Sequence, residues 1–306
     1  FQKSLMIVNT AGWDTDCNSG NVGCILGIKN ELEGIQKGPD YITPVNDIIY
    51  LPSAYGSETM TDALLESQNI INITRKLNGL EGKVIKNNAR YNFEMETSTQ
   101  GWMVDKANDN NLNTNLSNVE FKSNNGTRAL QVSFTDLSFG LSSEIFVDSF
   151  FPEWFTKLEG YQVQRYFHYD YVACPLVYTG QKIKTEIVSK SEKDLRINLF
   201  IKYWGEGDKL IKISSEDHNI KANENNVIEW NVPDTFSNPI GQMGISINSD
   251  DNVTGKLLIN YLNISGSPKM TFRRPDHIDE FKRGIFYKEE VYGQLWKRAW
   301  VNDVDK

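Results

Sequence analysis

The hydrophobic pattern of this chain changes period once, near Asn87, and that change fixes two kinds of architecture in series. Before Asn87, apolar residues recur at helical spacing: Val22, Ile25, Leu26 and Leu32 in one run, Leu64, Leu65 and Ile71 in another. From Arg90 onward the pattern has period two, bounded by Asn, Gly, Asp and Ser clusters. It predicts strands over 91–96, 128–135, 142–147, 182–189, 195–204, 209–214, 226–232, 243–248 and 255–264. Many short strands with polar turns describe an antiparallel β-sandwich of jelly-roll type. The 13 tyrosines, 15 phenylalanines and seven tryptophans supply bulky side chains for its core. The expected fold class is therefore α+β multidomain, with a helical part over 1–88, a sandwich over 89–270 and a C-terminal extension over 271–306. In that extension Phe281, Ile285, Tyr287, Val291, Leu295 and Trp296 predict a helix. The Asn-rich stretch 108–118 reads as a loop.

Composition removes several functions. With a net charge of −8 over 306 residues, the chain lacks the basic balance of a general nucleic-acid surface. No run of 18 apolar residues is present, so no membrane-spanning helix is expected. Cys17, Cys24 and Cys174 are too few for a disulfide scaffold, and Cys17 and Cys24 lie roughly 10 Å apart on one helix. His168, His218 and His277 have no zinc spacing. The sequons at Asn72, Asn115, Asn125, Asn252 and Asn263 are what an Asn-rich chain produces by chance.

The chemistry concentrates in GWDTDCNSGNVGCILG, from Gly12 to Gly27. Asp14 and Asp16 sit one residue apart ahead of a helical run, and Gly20, Gly23 and Gly27 share one face of that helix. Each glycine costs roughly 1 kcal/mol of helix stability, so a stripe of three predicts the close approach of another backbone. Paired carboxylates at such a helix start predict a hard-cation site, set against the plainer reading that Asp14 caps the helix.

This stretch resembles the metal motif of the ADP-ribosylglycohydrolase family, in which a Gly-x-Asp-Thr-Asp turn opens a glycine-rich helix. ITPVNDIIYLPSAYG and MTDALLESQNIINI are similar to the closing segments of its bacterial members. The resemblance covers about the first 80 residues. It implies an all-helical catalytic domain holding two Mg2+ (or Mn2+) ions, with Asp14 and Asp16 as metal ligands and catalytic residues. The substrate implied is an ADP-ribosylated molecule or another ribosyl glycoside. Cys17 stands where the family often has a metal-touching threonine, and a thiol is a poor ligand for a hard cation. The family's earlier Thr-Asp-Asp element has no counterpart here. Asp250 and Asp251, the adjacent pair, lie in the turn-like NSDDNVTG. The expectation is a fragment, inactive by itself.

The sandwich carries a second likeness. YNFEMETSTQGW and NNGTRALQVSF resemble the opening of carbohydrate-binding modules, through Gly101-Trp102 and Gly126 to Leu130. GKLLINYLNISG is similar to the last strand of such modules, where an aspartate commonly binds structural calcium and where this chain has Asn260. The resemblance implies a glycan partner and fits an extracellular or periplasmic setting, although export itself is left open. Trp154, Tyr203 and Trp204 are the candidate sugar-stacking rings, with Trp230 placed in the core. The competing functions are thus a metal-dependent hydrolase, a carbohydrate-binding sandwich and a purely structural module.

Overall fold

The computed structural model describes residues 1–50, 60–85, 87–106, 113–150, 152–154, 175–205, 209–236 and 238–269. The chain divides into two compact units, Phe1–Asp47 and Ile48–Lys306.

The first unit is a helix pair, α1 (Gln2–Asn9) and α2 (Thr15–Gln36). No residue of either helix is buried. Glu31, at φ 57° and ψ −171°, breaks α2 into two helical pieces. Ser19 ties the helices together by donating to Asn9 Oδ1 at 2.5 Å. Phe1 meets Tyr41 edge-on at 5.7 Å between ring centroids. The close backbone approach expected at the glycine stripe is not found among the described residues. A Cβ on Gly20 would meet nothing, and on Gly23 or Gly27 it would lie 3.7 and 3.8 Å from the Leu5 and Ile35 side chains. These are ordinary van der Waals distances.

The second unit begins with a two-stranded ribbon, β1 (Ile48–Tyr50) and β2 (Met60–Asp62), and the helix α3 (Ala63–Leu77). Eleven strands follow: β3 (Met103–Val104), β4 (Asn115–Glu120), β5 (Arg128–Leu137), β6 (Ser142–Asp148), β7 (Lys182–Ser191), β8 (Leu195–Trp204), β9 (Leu210–Ser214), β10 (His218–Ile220), β11 (Asn225–Asn231), β12 (Ile240–Asn248) and β13 (Val253–Ser265). One sheet runs β10-β8-β12-β6-β3, with β9 also on β8; the other runs β11-β7-β13-β5-β4. Every pairing is antiparallel. A single core joins the two sheets: Ile145, Val147, Leu199, Ile201, Met243 and Ile245 from the first meet Leu130, Val132, Ile183, Ile187, Leu257 and Ile259 from the second. The β-sandwich is thus established, and period two places its core residues (Leu195, Ile197, Leu199, Ile201, Tyr203) on one face of β8.

Two local expectations are corrected. Residues 91–96 are not a strand: Tyr91 forms an isolated bridge to Leu262, and Phe93 then adopts φ 57°. The backbone N–H groups of Asn92 and Phe93 donate instead to Gln100 Oε1, at 3.0 and 2.7 Å. The Asn-rich loop ends sooner than expected, because Asn115–Glu120 pairs with β5 along its whole length as an edge strand. The helix expected within 271–306 lies outside the described residues.

The ribbon and α3 are fastened to the sandwich by buried polar groups. Asp62, 1% exposed, caps α3 by accepting from Leu65 N at 2.9 Å. It also pairs with Arg90 and accepts from Gln100 Nε2 at 3.2 Å. Arg90 in turn lies over the Tyr91 ring, 4.4 Å from its centroid, and Tyr91 meets Trp102 edge-on. Removing one member of a buried pair strands the other charge. Asp62→Ala is therefore expected to lower unfolding stability by about 3–5 kcal/mol, read from the urea midpoint. A loss below about 1 kcal/mol, the value of an exposed pair, would show that the node holds nothing together.

Candidate functional site

The two sites anticipated from sequence have different fates. Asp14, Asp16 and Cys17 do come together: one ligand atom from each lies within 4.8 Å of the others, and all three residues are exposed. Among the described residues this is the one such group. Asp14 occupies the N-cap position of α2 in the left-handed region, φ 46°, and its side chain makes no capping hydrogen bond, which removes the capping reading. It accepts from the Cys17 thiol instead, and that bond, reinforced by the charges of Asp14 and Asp16, pushes the thiol pKa up. A protonated thiol is a still poorer ligand for a hard ion. The two carboxylates fit a single exposed magnesium or manganese ion; they do not supply a ligand set for two.

The proposed stacking rings separate by burial. Tyr203 is 8% and Trp204 2% exposed. Tyr203 lies in the core between the sheets. Trp204 packs over Gly241, where a Cβ would come within 2.7 Å of the indole nitrogen. Neither ring can present a face to a sugar. Trp154 is 50% exposed and keeps a ring surface open to solvent.

The arrangement that sequence reading missed lies on the outer face of the six-stranded sheet. Alternation sends Ser142, Glu144, Phe146 and Asp148 of β6 outward, with Gln242, Gly244 and Ser246 of β12 and Asn198, Phe200 and Lys202 of β8. Register sets Phe146, Gly244 and Phe200 side by side. A Cβ on Gly244 would strike the Phe200 ring at 2.2 Å, so only glycine lets that ring lie flat across β12. Lys202 Nζ stands 5.6 Å from the Phe146 centroid and 5.5 Å from that of Phe200, and it is paired with Asp105 at 2.7 Å. Lys212 on β9 lies 4.3 Å from the Phe200 centroid and pairs with Glu144 at 2.5 Å. Ser246 donates to Glu144 at 3.3 Å, and Gln242 donates to Asp148 at 3.1 Å. Glu144, Asp148, Gln242 and Ser246 are all buried although they face away from the core. Phe200 is fully buried beneath Lys212, so the half-buried Phe146 is the ring that this polar face can offer to a hydroxyl-rich ligand. Its signal was present in the sequence, as the charged alternate positions of the strands predicted at 142–147 and 195–204.

Asp148 is the strained member. Burial pushes its carboxyl up to about 6 and the charge of Glu153 adds to this, while the Gln242 amide and Lys202 act in the opposite direction. The folded chain therefore holds this proton more tightly than the unfolded one, whose value is near 3.8. The associated stability is complete below about pH 4 and is lost as pH rises through 6, a change of about 3 kcal/mol. Asp148→Asn retains an acceptor for Gln242 and is expected to flatten that decline and raise stability at pH 7. Equal pH slopes for the two proteins in urea titrations from pH 4 to 7 would exclude it.

No protein-family model matches the chain, and no curated protein matches it. Solved structures resemble it over the sandwich. One is described as a carbohydrate-binding module from the beta-sandwich superfamily: 14% identity, 60% of this chain, 64% of that chain, TM-score 0.42. The chain thus spans just under two thirds of that neighbour's length. The CBM22-1 xylan-binding domain from Paenibacillus barcinonensis Xyn10C is 9% identical over 58% of this chain and 93% of its own, with a TM-score of 0.39. A CBM28 module specific for non-crystalline cellulose is 14% identical over 61% of this chain and 96% of its own, also at 0.39.

Proposed function

We propose that the sandwich is a non-catalytic carbohydrate-binding module, and that the outer face of its six-stranded sheet takes the glycan. The observation that carries this reading is the sheltered row of polar groups around the half-buried Phe146, on the sheet face turned away from the core. Ordinary outward faces of sandwiches are solvated. Here Asp148, Gln242, Glu144 and Ser246 are withdrawn from water yet retain polar atoms. Such groups exchange hydrogen bonds with sugar hydroxyls, and an aromatic ring covers the apolar face of a pyranose. The likeness of Gly101-Trp102 and Gly126 to Leu130 to the opening of carbohydrate-binding modules agrees with it. An extracellular or periplasmic setting suits this function. Among the described residues no helix is long and apolar enough to cross a membrane.

The test is affinity electrophoresis of the whole chain against a panel of soluble polysaccharides, followed by calorimetry with the best ligand. Phe146 is half-buried, so Phe146→Ala should fold. It is expected to weaken binding about tenfold, from about 1.4 kcal/mol of lost ring contact. Retardation by no polysaccharide, or undiminished binding by the variant, would end this reading.

A second reading keeps the hydrolase resemblance, on the single observation that Asp14 and Asp16 converge. In it the pair holds a magnesium ion at the start of α2, where it would orient a ribose hydroxyl or water. Calorimetric titration with Mg2+ or Mn2+ is expected to show weak binding that disappears in Asp14→Ala and Asp16→Ala and persists in Cys17→Ser. Asp14→Ala removes no cap bond, only the contact with the exposed Cys17 thiol and an aspartate suited to the left-handed region, so its melt should fall by less than the loss of a cap, about 0.5–2 kcal/mol, would cause. Binding that survives loss of both aspartates rejects the assignment.

A further inference from the structure

Two carboxylates grip the turn between β4 and β5. Glu94 accepts from Thr127 N at 2.7 Å and Arg128 N at 3.1 Å through Oε1, and from the Thr127 hydroxyl at 2.7 Å through Oε2. Glu186, on the outward face of β7, is only 5% exposed. It accepts from Asn225 Nδ2 at 2.7 Å and Asn260 Nδ2 at 3.1 Å through Oε1, and from Asn125 Nδ2 through Oε2. Asn125 belongs to the turn, Asn225 to β11 and Asn260 to β13, so Glu186 joins four separate stretches of chain. Gly126, beside Asn125, is required by the same arrangement: a Cβ there would lie 2.1 Å from Glu94 Oε1.

The modules that the last strand resembles commonly bind structural calcium through an aspartate at the position of Asn260. Calcium takes six to eight oxygen ligands and needs open carboxylate lone pairs. The residues of this chain do not fit that ion. The Asn260 side chain turns its amide nitrogen, a donor, toward Glu186, and both oxygens of Glu186 and of Glu94 already accept N–H or O–H groups. The buried Asn260 Oδ1, which has no hydrogen-bond partner, is the cost of that orientation.

We propose that the amides of Asn125, Asn225 and Asn260 take the place of a cation at Glu186, so that this corner of the sandwich is cross-linked by a metal-independent carboxylate clamp. The clamp follows from donor and acceptor chemistry and does not depend on what the sandwich binds. It is tested on the full chain by thermal melting in EDTA and in Ca2+ up to about 10 mM, above the 10⁻⁴–10⁻³ M range of extracellular calcium modules. The native melts are expected to coincide, and calorimetry with calcium chloride to show no binding. Asn260→Asp places a second carboxylate against Glu186; it should melt lower in EDTA and recover in calcium. Asn125→Ala, at an exposed residue, should lower the melt equally in both buffers. The proposal falls if calcium raises the native melt and Glu186→Gln abolishes that rise. It falls equally if Asn125→Ala leaves the melt unchanged.

Discussion

Burial of the two sheets against each other is the constraint from which the rest of this structure follows. The core residues come from alternate positions of strands on both sides, and central strands such as β12 have almost every residue out of water. Apolar burial contributes about 25 cal/mol per Å², so no other interaction in the chain rivals this one. It also sets terms for the opposite faces. Once one side of β6, β8 and β12 is committed to the core, the charged residues between have a single face to occupy. Where that face is sheltered, each charge must find a partner. Lys202 pairs with Asp105 and Lys212 with Glu144, whereas Asp148 is hydrogen-bonded by the neutral Gln242 amide, feels Lys202 without pairing to it, and carries the raised pKa.

Carboxylates organise the periphery in the same way. Asp62 caps α3, pairs with Arg90 and receives Gln100, which itself closes the backbone at Asn92 and Phe93. Glu94 and Glu186 do comparable work at the β4–β5 turn with neutral donors. Each is a short acceptor-rich group joining stretches remote in sequence. The two helices of the first unit have no buried residue, and the Asp14–Asp16–Cys17 group within that unit is exposed.

Legibility in the sequence tracked the strength of the local signal. The strand predicted at 195–204 coincides with β8, and those at 128–135, 142–147 and 182–189 fall inside β5, β6 and β7. These strands alternate strongly because one face is buried. Asn115–Glu120 was missed because an edge strand needs little apolar content. The prediction at 91–96 failed because Gln100, several residues later, offers those N–H groups a better acceptor than a neighbouring strand. The glycine stripe at Gly20, Gly23 and Gly27 predicts a closely packed face, and among the described residues nothing approaches it closer than ordinary van der Waals contact. The aromatic candidates divided for a related reason: composition identifies a ring but not which side of a sheet it lies on.

The sequence by itself determined the β-sandwich and the course of its main central strands, because backbone periodicity is a local property; the compact units divide at Asp47, ahead of the change of period, and the ribbon of β1 and β2 has no counterpart in that pattern. The sequence also placed Asp14 and Asp16 one residue apart at the start of a helix, while their convergence is seen only in the fold, where Asp14 takes the left-handed region. Tertiary structure decided which of two alternating faces would be core, and hence that Tyr203 and Trp204 are buried while Phe146 lies in a polar field. It alone brought Asp105 to Lys202 and Asn260 to Glu186. A period of two says which residues share a face. What that face meets depends on strands far away in the chain, and only folding brings them together.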